Sequence, residues 1–251
     1  MILKTRHWLS LSLLCATLVL LSLSRAAPKS SVRQLEYNGT RFSVASIDLR
    51  SFTLKMFWKN PQGKPFASLG ALEQYLQIHK QRLVLAMNAG IFDTQLSPLG
   101  LHIERGQILR PLKTRRSGYG NFYLQPNGVF FLDKSGAHIL ETLEYQRQNP
   151  KALEATQSGP LLVEHSKIHP AFRPNSLNRL PRNAIGVSDR NTIHLVIADN
   201  WVNFDDLARF MRDKLKCTDA LYLDGSISKM RVPRTRDEDG EFAGMIAILE
   251  K

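Results

Sequence analysis

The chain is poor in cysteine. Cys15 and Cys217 are the only two in 251 residues, so a mature form lacking Cys15 has no intrachain disulfide and no thiolate-rich zinc site. There is no GxSxG, no Walker loop and no GxGxxG, which removes the signatures of nucleophile-elbow hydrolases and of P-loop and dinucleotide sites. Recognised metal-ligand spacing is missing too. His165 and His169 are four apart, but Pro170 disfavours helix at His169. His102, His138 and His194 sit in strand-like stretches. No metal or cofactor is expected. Repeats, low-complexity stretches and a long linker are all absent, so the body reads as one domain.

Acidic residues are scarce: 22 Asp and Glu face 34 Lys and Arg, a formal charge of +12. Subtracting Lys4, Arg6 and Arg25 of the N-terminal segment leaves +9 for the body. Such an excess favours anionic partners. The basic runs Lys113-Thr114-Arg115-Arg116 and Arg231 to Arg236 read as solvated loops rather than grooves for nucleic acid, which is not expected as a partner.

Apolar residues make up 43% and charged residues 22%, an ordinary globular balance that argues against disorder. A chain of this length buries roughly 70% or more of its unfolded surface and needs no staples. Met1 to Trp8 carries Lys4 and Arg6, Leu9 to Leu23 is nearly all apolar or small, and Ser24-Arg25-Ala26 offers a small-residue cleavage site. That order is a secretory signal. The apolar run falls short of the about 20 residues of a membrane span, so no stable membrane insertion is expected. The expected organisation is a signal peptide over residues 1–26 and one domain over 27–251, exported to a periplasm or secreted.

The body reads as strands with a few helices. Phe42 to Leu49 and Phe52 to Trp58 alternate around Arg50-Ser51 and suggest a hairpin. Ser68 caps a helix carrying Leu69, Leu72 and Leu76 on one face. Leu83 to Met87 is a buried-type strand. Asn127-Gly128 suggests a turn between short strands at Phe122-Leu124 and Val129-Leu132. Ala184 to Val187 and Thr192 to Ala198 flank a polar turn. Asn203 opens a helix with Phe204, Leu207, Ala208, Met211 and Leu215 as its apolar stripe. Ala220 to Leu223 and Met245 to Leu249 are further strands, with Asp239-Gly240 as the turn before the last. The expected class is α+β: a single domain of mixed or antiparallel sheet with a few packed helices.

Polar clusters punctuate these strands. Asn88-Ala89-Gly90 follows Leu83 to Met87, Gln157-Ser158-Gly159 precedes Leu161-Leu162-Val163, and Asp224-Gly225-Ser226 follows Leu221-Tyr222-Leu223. Small residues let backbone N–H groups approach a ligand, and a strand end holds a polar side chain still. Turn formation alone explains any one such cluster. Arg182, beside Asn183 at a buried strand edge, is a candidate to hold an oxyanion. A surface arginine is the plain alternative.

At these clusters the sequence resembles the phosphodiester glycosidase family. Its Asn-Gly-Gly signature with aromatics is similar to Asn88-Ala89-Gly90-Ile91-Phe92. Its Gly-Pro-Leu-Val segment resembles Gly159-Pro160-Leu161-Leu162-Val163. Pro-Arg-Thr-Ala-Ile-Gly resembles Pro181-Arg182-Asn183-Ala184-Ile185-Gly186, and Leu-Asp-Gly-Gly-Gly-Ser resembles Leu223-Asp224-Gly225-Ser226-Ile227-Ser228. Order and rough spacing agree across Leu83 to Ser228. Ala89, Asn183 and Ser226-Ile227 depart from the pattern.

The resemblance implies hydrolysis of a sugar C1–O–P bond in an anionic phosphorylated glycan or small molecule. Asp224 is then the candidate base or nucleophile, Arg182 the cation and Glu104 a second carboxylate. Asn88, Gly90, Gln157, Ser158, Gly159, Asn183, Gly225 and Ser226 are candidates for substrate binding; Asp93 and Asp199 are weaker carboxylates. Two rivals stand beside this reading. One is a catalytically silent module binding anionic envelope glycans. The other is a metal-dependent phosphoesterase using Asp199, Asp224 and a histidine.

Overall fold

The computed structural model describes residues 32–225, 227–234 and 240–251. The leader over 1–26, Cys15, the candidate Ser226 and Asp239 of the last expected turn lie outside the described residues.

Strand follows strand from the start: β1 (Arg33–Tyr37), β2 (Thr40–Asp48) and β3 (Phe52–Phe57) precede helix α1 (Leu69–Ile78). Ala71 N donates to Ser68 Oγ at 3.0 Å, the expected cap. Next come β4 (Leu83–Asn88), β5 (His102–Glu104), β6 (Gln107–Arg110), β7 (Gly128–Asp133) and β8 (Gly136–Glu141), then α2 (Thr142–Gln148). Strands β9 (Glu154–Ser158), β10 (Leu161–Glu164), β11 (Lys167–Ile168), β12 (Asn183–Asp189) and β13 (Thr192–Ala198) lead to α3 (Phe204–Arg209). A π-helical turn, Phe210–Lys214, extends α3. Asn203 caps it as expected, accepting from Asp206 N at 2.8 Å. β14 (Asp219–Asp224), β15 (Met230–Arg231) and β16 (Met245–Glu250) complete the order.

Three sheets result, with strand orders β1-β2-β13-β12-β14-β10-β11, β15-β4-β16-β3 and β6-β5-β9-β7-β8. Every strand pairing described is antiparallel. Period-2 alternation explains the layering. Ala45, Ile47, Ile185, Val187, Leu221 and Leu223 of the seven-stranded sheet face Leu85, Met87, Ile246 and Ile248 of the four-stranded sheet in one core. The intervening Val44, Ala184, Ala220 and Tyr222 face α3 on the opposite side. Likewise Ala86, Ala247 and Leu249 face Leu69, Leu72 and Leu76 of α1. Both faces of each central strand are therefore covered. Cys217 packs in the α3 layer, and burial pushes its thiol up to about 12, as suits an inert core residue.

Two expected pairings do not form. β2 pairs with β1 and β13, whereas β3 pairs with β16, so Phe42–Leu49 and Phe52–Trp58 belong to different sheets. Asp48 Oδ1 accepts from Arg50 N at 2.9 Å and shapes the tight turn. That turn sends the chain across the core, because both strands offer apolar faces to it from opposite sides. The second correction concerns Asn121–Tyr123, which is a 3-10 turn rather than a strand. Asn127 is no hairpin tip: its buried amide donates to Phe122 O at 2.9 Å and accepts from Thr142 Oγ1 at 2.8 Å.

Two buried titratable groups brace the strands, Glu154 between two sheets and His194 within one. Glu154 accepts from Met56 N at 2.7 Å and Arg105 N at 3.2 Å, and burial still pushes it up to about 7. His194 lies between Ser46 and Ser188, and burial, helped by Arg33, pushes it down to about 4. Their pH effects oppose each other. The folded Glu154 keeps a proton that the unfolded chain releases between about pH 4.5 and 7, so its contribution is lost as pH rises through that window. The folded His194 refuses a proton that the unfolded chain accepts, so its contribution is lost as pH falls from 6.5 towards 4, by up to about 3 kcal/mol. His194→Gln should therefore lose less stability than the parent between pH 6.5 and 4, read from urea midpoints. Equal losses would show that His194 is not held neutral.

Candidate functional site

The expected clusters meet where β4, β9 and β14 end. Asn183 opens β12 directly opposite Asp224, the last residue of β14. Asp224 N donates to Asn183 Oδ1 at 2.7 Å. The Asn183 amide nitrogen donates to Asn88 O at 2.9 Å and to Asn88 Oδ1 at 3.1 Å. Asn88 Nδ2 in turn donates to Ile227 O at 2.8 Å, and Lys229 N donates to Asn88 Oδ1 at 2.9 Å. One buried network thus joins the seven-stranded sheet, the four-stranded sheet and the segment after Asp224.

β9 brings in the third sheet. Ser158 Oγ donates to Leu223 O at 2.7 Å and accepts from Ile91 N at 3.4 Å. Gly90 packs so closely that a Cβ there would lie 2.7 Å from Gln157 O, so a larger residue would push β4 off β9. Gln157 is fully satisfied. Its oxygen accepts from Leu101 N and Lys113 N, each at 3.0 Å. Its nitrogen donates to Lys113 O at 2.8 Å and to Thr142 Oγ1 at 3.1 Å.

Asp224 remains 8% exposed at this junction. Gly225 N donates to its Oδ1 at 2.5 Å. Arg182 lies next to Asn183, but its guanidinium turns to the α3 face and is 0% exposed. Nε donates to Val202 O at 2.9 Å, and Nη2 donates to Asn178 Oδ1 at 2.8 Å. The guanidinium carbon lies 3.7 Å from the centre of the Phe204 ring and 5.4 Å from that of Tyr222. Nη1 is buried without a well-formed hydrogen bond, and its electrostatic partner is the Tyr222 hydroxyl. Burial lowers the Arg182 pKa from its ordinary value, and Tyr222 opposes that shift. Burial pushes the Tyr222 phenol up to about 12, against the pull of Arg182, so the phenol keeps its proton at neutral pH.

The expected residues thus separate. Asp224, Asn183, Asn88, Gly90, Ser158 and Gly225 are brought together, and Gln157 and Gly159 stand behind them on β9 and just after it. Asn88, Gln157 and Ser158 turn their polar groups into the scaffold rather than toward a ligand, which corrects the expectation that they bind substrate directly. Arg182 reaches the site as a wholly buried cation; no ion pair joins it to Asp224. Glu104 is corrected outright. It accepts from His102 Nε2 at 3.0 Å and neighbours Glu154, whose pKa its negative charge helps to raise. Glu154 opens β9 and Ser158 closes it, about 13 Å along an extended strand. Glu104 therefore lies at the far end of that sheet and does not face Asp224.

Asp93 caps its own loop, accepting from Gln95 N and Ser97 N. Asp199 accepts from Ser43 Oγ at 2.7 Å at the edge of β2. The constellation of Asp199, Asp224 and a histidine is not assembled. Among the described residues no group of three or more His, Cys, Asp or Glu is placed to hold a metal. Sequence reasoning missed Tyr222, Asn121 and Asn178. Tyr222 reads as core in an apolar strand; its spacing two residues before Asp224 was the available signal.

The phosphodiester glycosidase family profile matches residues 81–244. The Escherichia coli K12 protein YigE, itself uncharacterised, is 37% identical over 188 residues, which cover 74% of this chain and 72% of YigE. Among solved structures, the zebrafish N-acetylglucosamine-1-phosphodiester alpha-N-acetylglucosaminidase catalytic domain, auto-inhibited by its pro-peptide, superposes with a TM-score of 0.61. It is 16% identical, and the match covers 88% of this chain and 82% of that one. A Burkholderia pseudomallei protein described as putative and exported gives a TM-score of 0.51 at 14% identity, covering 84% of this chain and 74% of its own. These two likenesses establish the fold, and the profile and the E. coli relative establish descent: the chain belongs to the phosphodiester glycosidase family.

Proposed function

We propose that the protein hydrolyses a glycosyl phosphodiester at the sugar C1–O bond, outside the cytoplasm, with Asp224 as general base or nucleophile. The observation that carries this reading is the meeting of four separate chain segments, from three sheets, at the end of β14, where Asp224 stands. In the overall reaction a water oxygen bonds to C1 and the C1–O bond to the phosphoryl group breaks. The phosphate departs as a monoester anion, and the water proton passes to Asp224 or to solvent. Such a leaving group is already a stable anion. It needs less proton donation than an alcohol and gains more from fixed positive charge and N–H dipoles. The buried Arg182 supplies positive potential behind the site. N-acetylglucosamine 1-phosphodiesters, which the zebrafish enzyme's name specifies, head the substrate panel. The charged and apolar order of residues 1–26 supports export.

One observation favours a second reading. Glu104 does not face Asp224, and among the described residues no second carboxylate bonds to this junction, so the paired carboxylates of ordinary glycosidases are not assembled there from the described residues. A catalytically silent module that binds anionic envelope glycans fits that fact and predicts binding without product.

Purified protein should release sugar from a methyl diester of a sugar 1-phosphate. In oxygen-18 water the label should appear in the sugar. Label in the phosphate would instead mean phosphorus–oxygen cleavage, and binding with no product over hours would support the silent module. Asp224→Asn should retain its urea midpoint and lose about 100-fold or more in turnover. Asn183→Ala strands Asp224 N and Asn88 O in the core and should cost about 1–3 kcal/mol of stability. Its turnover should fall further than that loss explains, as seen by assay at a temperature where the variant stays folded.

A further inference from the structure

Tyr222 is absent from the family motifs and from the expected site, yet its hydroxyl lies at the heart of the junction. A Cβ built on Gly225 would fall 2.1 Å from that oxygen and 3.5 Å from Arg182 Nη1. The hydroxyl therefore occupies the space that any side chain at position 225 would need. Asn121 Nδ2 donates to it at 3.3 Å, and the Arg182 guanidinium acts on it electrostatically from behind. The hydroxyl oxygen therefore accepts from Asn121, while Arg182 Nη1, buried without a hydrogen-bond partner, lies on the same side as a charge. Its own proton has no acceptor among the described residues. The ring is fixed as well, set edge-on against Phe204 at 4.9 Å between centroids. Tyr222 also senses the Asp224 charge, which helps to raise its pKa.

We propose that Tyr222 is a positioning residue for the reaction assigned to Asp224: its hydroxyl, backed by Arg182, packs against Gly225, fixes the Asp224–Gly225 turn and carries buried positive potential to the carboxylate. The proposal rests on the reading of Asp224 as the reacting carboxylate. It gives Arg182 a role that its complete burial permits. A wholly buried guanidinium cannot meet a phosphate directly, but through a neutral phenol it orients a dipole without exposing its charge. It also explains the glycine after Asp224 sterically, with no appeal to an unusual backbone angle.

The test is a turnover and folding cycle on the full chain, with parent, Tyr222→Phe, Gly225→Ala, the double variant and Asp224→Asn as control. The substrate is a methyl diester of N-acetylglucosamine 1-phosphate, extended to other sugar 1-phosphate methyl diesters. Tyr222→Phe should lower kcat about 10-fold or more, keep KM within about threefold and leave the urea midpoint close to the parent's. Gly225→Ala should be severely impaired in both folding and turnover. Removing the hydroxyl relieves the 2.1 Å collision and leaves the ring carbon at 3.2 Å as the nearest contact, so the double variant should be more stable and more active than Gly225→Ala alone. An active parent whose Tyr222→Phe variant keeps kcat within about twofold, while Asp224→Asn is dead, would overturn the positioning role and spare the reading of Asp224. An inactive parent would overturn the reading of function instead. The urea midpoints then decide the geometric claim: a double variant no more stable than Gly225→Ala would overturn it.

Discussion

The buried Asn183 carboxamide ties the paired ends of β12 and β14 to β4 of another sheet. Its oxygen takes the N–H of Asp224, and its nitrogen reaches both oxygens of Asn88. A carboxamide is suited to this because it presents a donor and an acceptor on one rigid plane. Aspartate would lack the donor and leucine both. The bonds among Asn183, Asn88 and Asp224 are buried, so each one missing would cost the full desolvation of its partner rather than the small net value of a surface bond. The same economy explains why Asn88, Gln157 and Ser158 turn inward. Three sheets ending at one point create many orphaned strand-end amides and carbonyls, and short polar side chains satisfy them.

On this frame the charges are arranged by depth. Arg182 is deepest, held by the Val202 carbonyl and Asn178 and stacked on Phe204. Tyr222 lies next, neutral, and Asp224 is outermost at 8% exposure. Among the described residues no ion pair cancels the cation, so its potential reaches outward through a medium where charges are poorly screened. A positive potential behind the site is what the proposed anionic substrate would meet on approach. The chain's basic excess acts in the same direction at longer range, and salt screens it over about 10 Å.

Much of this was legible in the residues. The β12–β13 hairpin, β14, β16, α1 and α3 follow from alternation, caps and helical stripes. The polar clusters at strand ends, in family order, located Asp224, Asn183, Asn88 and Gly90. The failures have physical causes. The turn after Asp48 has the chemistry of a hairpin, and local chemistry does not say whether the strands beyond it pair or part. Phe122 looks like strand because it is aromatic and buried, yet it is buried in a 3-10 turn. Glu104 follows a strand, but a strand has two ends, and sequence does not show which end faces the site. Tyr222 was hidden by its own good packing, since a tyrosine among Leu221, Leu223 and Ala220 reads as core.

The departures from the family pattern can be judged by the bonds they make. Asn183 stands where the pattern has threonine. A threonine hydroxyl also offers one donor and an acceptor, so the bridge between Asp224 N and Asn88 O is within the capacity of both side chains, and the difference is one of reach. Ala89 replaces a glycine, but its N–H still donates to Gly244 O at 2.8 Å, and its methyl is buried against the core side of β4. Neither change removes a hydrogen-bonding function from the junction. Gly225, the position where a side chain would strike the Tyr222 hydroxyl, keeps its glycine. The third departure, Ser226-Ile227, follows Gly225 directly, yet Ile227 O accepts from Asn88 Nδ2 at 2.8 Å, and a backbone carbonyl makes that bond whatever side chain stands there, so the bridge from the four-stranded sheet to the segment after Asp224 does not depend on the lost glycine.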